Sequence, residues 1–198
     1  GLAARFPLLG QLQVVTRLRR RLRDLVRQER PDLIHAHSPS LNGLAALPVA
    51  RRARIPCVYE VRAFWEDAAV DHGTAREGGL RYRLTAASES YVLHRADAVT
   101  AISEGLRREI VKRGVPAERV TVIGNGVETD VPAPDPTQVE RLRQELGLSG
   151  KFVLGFIGSF YAWEGLDILL RAFPMVARAV PEAVLLLVGG GQEDAALR

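Results

Sequence analysis

Lys151–Gly165 reads KFVLGFIGSFYAWEG. Phe152 to Ile157 is a nearly unbroken apolar run of strand length, the pattern of a parallel strand covered on both faces, and Gly158 is expected to end it. After a loop, Gly165 opens a segment in which Leu166, Leu169, Leu170, Phe173, Val176, Ala177 and Val180 fall at helical spacing. Pro181 closes that segment, and a second apolar run, Ala183–Val188, ends in Gly189-Gly190-Gly191. The pattern is a strand–helix–strand unit with a right-handed crossover. Ligands are expected beyond the carboxyl ends of its strands, at Gly158–Gly165 and Gly189–Gly191, where backbone N–H groups at a helix start can hold an anion.

Working outward, the same alternation recurs. Leu33–His37, Val58–Val61, Ala98–Ile102 and Val120–Ile123 read as strands. Leu41–Ala53, Leu80–Arg95, Glu104–Lys112 and Thr137–Leu146 read as helices, with Ser40 and Ser103 as N-caps. Arg62–Gly78 has no clean period and is expected to be a long loop at the working edge of the sheet. The prolines of Val131–Pro136 stiffen an extended connection, which sets the expected domains at 1–131 and 132–198. Alternation throughout makes the fold class α/β, with doubly wound, largely parallel sheets. The first sheet is expected to lack its opening strand and the second to be cut after two strands. The last residues before Arg198 look like the start of another helix.

With 198 residues and 47% hydrophobic content, the chain can bury one good core or parts of two. It begins at Gly1 and is expected to be a piece of a longer protein. Its one cysteine, Cys57, lies in an apolar run, which favours a buried thiol in a reducing compartment. No apolar stretch approaches the roughly 20 residues needed to span a bilayer, and no signal peptide is visible. The expected location is the cytoplasm. The net charge is +4, but the positive charge is concentrated: Arg5, Arg17, Arg19, Arg20, Arg21, Arg23, Arg27 and Arg30 crowd the first segment, where Gln11–Glu29 is an amphipathic helix with a basic outer face. That face is either a solvated helix surface or a contact with the anionic inner face of the cell membrane. Nucleic acid is disfavoured, since no aromatic residues interleave with the arginines.

Five motifs in order, PDLIHAHSP (Pro31–Pro39), ADAVTAIS (Ala96–Ser103), VTVIGNGVE (Val120–Glu128), FIGSFYAWEGLDILLRAF (Phe156–Phe173) and LLLVGGG (Leu185–Gly191), resemble a family-4 glycosyltransferase. The form Gly-Ser-Phe-Tyr-x-x-Glu-Gly at Gly158–Gly165 further resembles the subgroup found with exopolysaccharide and exosortase gene clusters. The resemblance implies the GT-B architecture of two Rossmann-like domains, both incomplete here. It implies transfer of a sugar, with retention, from a nucleotide-sugar donor to a glycan or lipid-linked acceptor, with no metal and no cofactor beyond the nucleotide sugar. The acceptor side would be residues 1–131 and the donor side 132–198. A Glu-x7-Glu motif contacting the donor would lie beyond Arg198. Residues 1–198 alone are therefore expected not to transfer sugar.

The resemblance assigns donor binding to Gly158, Ser159, Phe160, Glu164, Gly165, Gly189 and Gly190, and an acceptor-side cleft to His37, Ser38, Glu60, Ser103, Asn125 and Gly126. Two departures matter. Where the family carries an Arg and a Lys that hold the diphosphate, this chain has Ser159 and Glu164, and a carboxylate beside a diphosphate is repulsive unless a cation or sugar hydroxyls engage it. Where the family commonly places a His facing the transferred sugar, this chain has Arg62, the candidate catalytic residue. A guanidinium can bind phosphate or acceptor but cannot act as a base. Glu60, two residues earlier on the same side of the strand, either pairs structurally with Arg62 or shares its site. His35 and His37 share one side of their strand; a zinc site is disfavoured because no third ligand stands at suitable spacing. A nucleotide-sugar epimerase of the same architecture and a non-catalytic membrane-associated partner remain the alternatives.

Overall fold

The computed structural model describes residues 7–197. They pack as two compact units divided between Gly126 and Val127, ahead of the 131/132 boundary expected from the prolines.

The first unit runs α1 (Pro7–Glu29), β1 (Ile34–His37), α2 (Ser40–Ala53), β2 (Cys57–Val61), α3 (Trp65–Asp71), α4 (Leu80–Arg95), β3 (Ala98–Ala101), α5 (Glu104–Lys112) and β4 (Val120–Val122). Among the described residues its strands form one parallel sheet in chain order, β1-β2-β3-β4. A sheet that steps the same way at each right-handed crossover places its crossover helices on one face. Burial follows that rule. Ala36, Cys57, Tyr59, Val61, Val99, Ala101 and Val120 form a core with Val92, Leu93 and Ile110 from α4 and α5. His35, His37 and Glu60 alternate with them and point to the opposite, more open face.

Two local expectations are corrected here. Ser40 does not cap α2; it is the first helical residue, and Pro39 precedes it without a side-chain cap. The free N–H of Ser40 donates instead to Glu89 Oε2 at 3.1 Å, across from α4. Glu89 Oε1 accepts from the Tyr59 hydroxyl at 2.6 Å. Glu89 is fully buried, and burial is the main cause that raises its carboxyl above the ordinary value. A tertiary carboxylate has displaced the local cap.

The second correction is that Arg62–Gly78 is not all loop. It contains α3, with Glu66 and Asp67 in the first turn, where acidic side chains favour the helix dipole. Glu66 is fully buried, with one carboxylate oxygen 2.7 Å from Arg113 Nη1. The Arg113 guanidinium also lies 3.7 Å from the centre of the buried Phe64 ring. The charge that made this stretch read as loop is the group that anchors it.

The second unit runs α6 (Pro136–Glu145), β5 (Phe152–Ser159), α7 (Leu166–Ala179) and β6 (Ala183–Gly190). Asp135 caps α6 by accepting from Thr137 N–H at 2.9 Å. β5 and β6 pair parallel in one register from Phe152↔Ala183 to Ser159↔Gly190. Gly158 therefore does not end its strand, because it pairs with Gly189 and both are small. A Cβ on Gly189 would collide with the Gly158 carbonyl oxygen, so this close approach requires glycine. Residues 192–196 are turns, with Glu193 O accepting from both Ala196 N–H and Leu197 N–H at 3.0 Å. Among the described residues, no helix is long and apolar enough to cross a membrane.

Candidate functional site

In the first unit the carboxyl ends of β1, β2 and β4 bring together five of the expected residues, His37, Ser38, Glu60, Arg62 and Asn125. Ser38, just past β1, donates its N–H to Glu60 O at 2.8 Å and accepts the Arg62 N–H on its hydroxyl at 3.1 Å. These two bonds lock the chain leaving β1 to the chain leaving β2. Arg62 then folds back: Nη1 donates to Glu60 Oε1 at 3.0 Å and Nη2 to Asn125 Oδ1 at 3.3 Å. Half of the Arg62 side chain remains exposed, against 17% for Glu60. Glu60 also takes His37 Nδ1 at 3.5 Å and His35 Nε2 at 3.2 Å. The result is a carboxylate ringed by one permanent cation and two imidazoles, with the guanidinium free on its outer side to meet an anion.

Ser103 and Gly126 do not join this group. The Ser103 hydroxyl accepts from Leu106 N–H at 3.3 Å and caps α5. Gly126 is exposed beyond Asn125 and has no heavy atom near its would-be Cβ. Sequence reasoning missed Asn42, whose side chain donates to His37 O at 3.0 Å and fixes the turn into α2. It also missed that Glu60 is the third neighbour of His35 and His37: the two strands are distant in sequence, and only their parallel register, His37↔Glu60, brings the side chains together.

In the second unit, Phe160 N–H donates to Gly190 O at 3.0 Å and Phe160 O accepts from Glu193 N–H at 3.0 Å, which ties the two glycine-bearing turns together. Phe160 is buried and so packs the loop, while Ser159 and Glu164 are exposed. Tyr161 and Trp163 stack with ring centres 4.2 Å apart. Gly165 takes the left-handed conformation, φ 68°, and opens α7 without a side-chain cap. Its conformation is one that glycine adopts at no steric cost, and the missing cap leaves N–H groups of the first turn open to an anion.

Residues 2–126 match the sequence profile of the family described as "Glycosyl transferase 4-like domain". The chain belongs to that family. Its relatives include the 2-deoxystreptamine glucosyltransferase of Streptomyces kanamyceticus, 30% identical over 168 residues, which cover 83% of this chain and 43% of that protein. The GDP-mannose-dependent alpha-(1-6)-phosphatidylinositol monomannoside mannosyltransferase of Mycolicibacterium smegmatis is 35% identical over 96 residues, 48% of this chain and 25% of that protein. Among solved structures, Anabaena HepE in complex with UDP and glucose superposes with a TM-score of 0.68 at 25% identity, over 92% of this chain and 45% of that one. This glycosyl transferase 4-like chain thus spans less than half the length of each of these relatives.

Proposed function

We propose that the protein to which this chain belongs transfers a hexose from a nucleotide-sugar donor to a glycan or lipid-linked acceptor in the synthesis of cell-envelope polysaccharide. The observation that carries the reading is the half-exposed Arg62 guanidinium, held between Glu60 and Asn125 at the carboxyl ends of the strands, in a chain of the glycosyl transferase 4-like family. Arg62 would hold the departing phosphate or the acceptor, with His37 and Ser38 beside it. Neither role asks it for a proton.

On the donor side, the N–H groups that open α7 and the turns at Gly158–Gly165 and Gly189–Gly191 would take the diphosphate. Ser159 and Glu164 stand where the family pattern has cations, so backbone donors carry more of that work and Glu164 is left to accept sugar hydroxyls. No metal takes part in the transfer. HepE, with UDP and glucose bound, supports the donor class. The test is to incubate the complete protein with labelled nucleotide sugars and a lipid extract. Labelled polymer or glycolipid is the expected outcome; epimerised donor, or unchanged donor, would overturn the reading.

Membrane contact is proposed for α1. Arg17, Arg20, Arg21, Arg23 and Arg27 are exposed, as are the apolar Leu12 and Val14. Arg19 is drawn inward and donates to Leu44 O at 3.1 Å, so it is not part of the basic face; Arg5 lies outside the described residues. Binding to anionic vesicles should weaken with salt and on paired Arg20→Glu and Arg23→Glu, by about 1 kcal/mol per surface cation. Co-sedimentation that ignores both salt and substitutions would count against it.

A further inference from the structure

His35 and His37 flank the buried Ala36 on β1, and their rings stack with centres 4.7 Å apart. Glu60, the register partner of His37 on β2, reaches both rings, Oε2 to His35 Nε2 at 3.2 Å and Oε1 to His37 Nδ1 at 3.5 Å. One donor atom from each of the three side chains lies within 4.8 Å of the other two. We propose that His35, His37 and Glu60 form a site for a zinc-class divalent ion, and that this ion competes with the Arg62 guanidinium for Glu60.

The donor set decides the ion class. Two imidazoles and one carboxylate suit zinc, cobalt, nickel or copper, whereas magnesium and calcium prefer all-oxygen shells. Zinc bonds of about 2.0–2.2 Å in a tetrahedron place ligand atoms roughly 3.4 Å apart. The two histidine-to-carboxylate approaches stand near that separation but run to different oxygens of Glu60, so with one oxygen on the ion the two imidazoles must shift, one toward that oxygen and both toward each other. They have room to do so, being 42% and 50% exposed. The backbone beneath them does not move as freely: it is held by the β1–β2 ladder, by Ser38 N–H on Glu60 O and by Asn42 on His37 O.

Three protein ligands on an open face leave a fourth position for water. Thr100, the register partner of Glu60 on β3, carries a buried hydroxyl with no hydrogen-bond partner among the described residues, a group suited to support a ligand from behind. Arg62 is the opposing element. A guanidinium 3.0 Å from Glu60 Oε1 repels an entering dication, so ion binding requires Arg62 to release Glu60 and retain Asn125 alone. Because His37, Glu60 and Arg62 also line the cleft of the proposed transfer, the ion is tested by binding readouts that need no turnover.

Cobalt(II) added to the untagged, chelator-treated chain should give the intense visible bands of a four-coordinate site, and zinc should abolish them. His35→Ala, His37→Ala and Glu60→Gln should each weaken binding at least about tenfold. Arg62→Ala, which removes the competitor, should tighten it roughly two- to fivefold, the worth of an exposed ion pair. Substitutions in β1 or β2 can disturb folding, so the wild-type chain supplies a second measurement. Zinc should shield His35 and His37 from diethylpyrocarbonate and leave His72 and His94 at their unprotected rates. Absence of cobalt bands, equal shielding of all four histidines, or binding that survives loss of both His35 and His37 would overturn the site. An Arg62→Ala chain that binds no tighter would overturn the competition.

Discussion

Arg62 stands between two acceptors, Glu60 Oε1 at 3.0 Å and Asn125 Oδ1 at 3.3 Å, with half its side chain in solvent. An ion pair this exposed contributes about 0–1 kcal/mol to folding. On the role proposed for it, Arg62→Ala in the complete protein should lower sugar transfer by an order of magnitude or more, while the unfolding temperature barely shifts. Kinetics and calorimetry on the same preparation check both. A large loss of stability with transfer intact would return the residue to a structural role. Cys57 shows the opposite logic: it is buried, and burial followed by the nearby Asp97 charge pushes its thiol up to about 11, so it is packing rather than chemistry.

Among the elements, α3 is tied to α4 by the Tyr82 hydroxyl donating to Asp67 Oδ1 at 2.8 Å and to α5 by a buried ion pair. Phe64 and Glu66 are its buried anchors, and Glu66 meets Arg113 at the end of α5. The approach is short, yet neither Glu66 oxygen nor Arg113 Nη1 makes an aligned hydrogen bond, so the pair is held by charge and by burial of the guanidinium on Phe64. Glu66→Ala strands the cation and should cost on the order of 3–5 kcal/mol, read as a lower urea midpoint; replacing Arg113 with Met as well should recover much of that. If the double substitution is no better than the single, the pair is not what positions α3. The consequence for the site is direct, because α3 begins three residues after Arg62.

At the scale of the whole molecule the two units differ in how completely they bury themselves. The first has a sheet backed by helices, with Tyr59, Leu93, Val99 and Ile110 fully buried. In the second, β5 and β6 make a two-stranded sheet among the described residues, and Ile157 is 83% and Met175 73% exposed. A two-stranded sheet is marginal in water, and parallel strands normally need cover on both faces. Residues 1–126 expressed alone should unfold in one cooperative thermal transition, and residues 127–198 alone should show none. Circular dichroism distinguishes the outcomes; a sharp transition in 127–198 would mean that β5, β6 and their helices close a core of their own.

The apolar runs at Phe152–Ile157 and Ala183–Val188, the helical period between them and the glycines after them were enough to establish parallel strand–helix–strand architecture, since period and run length are local properties of the chain. The motifs were likewise enough to place the chain among glycosyltransferases of family 4. The cap at Ser103 was legible for the same reason, as its partner Leu106 is three residues away. Ser40 reads as a cap in sequence, but its partner in the fold, Glu89, is far along the chain. α3 was missed because a buried Glu66 is indistinguishable in sequence from a solvated one until Arg113 is placed against it. Glu60 pairing with Arg62 could be anticipated from a period of two. Its approach to both His35 and His37 could not, because it depends on the register of β1 on β2, and register is decided by which faces the helices cover in the assembled sheet.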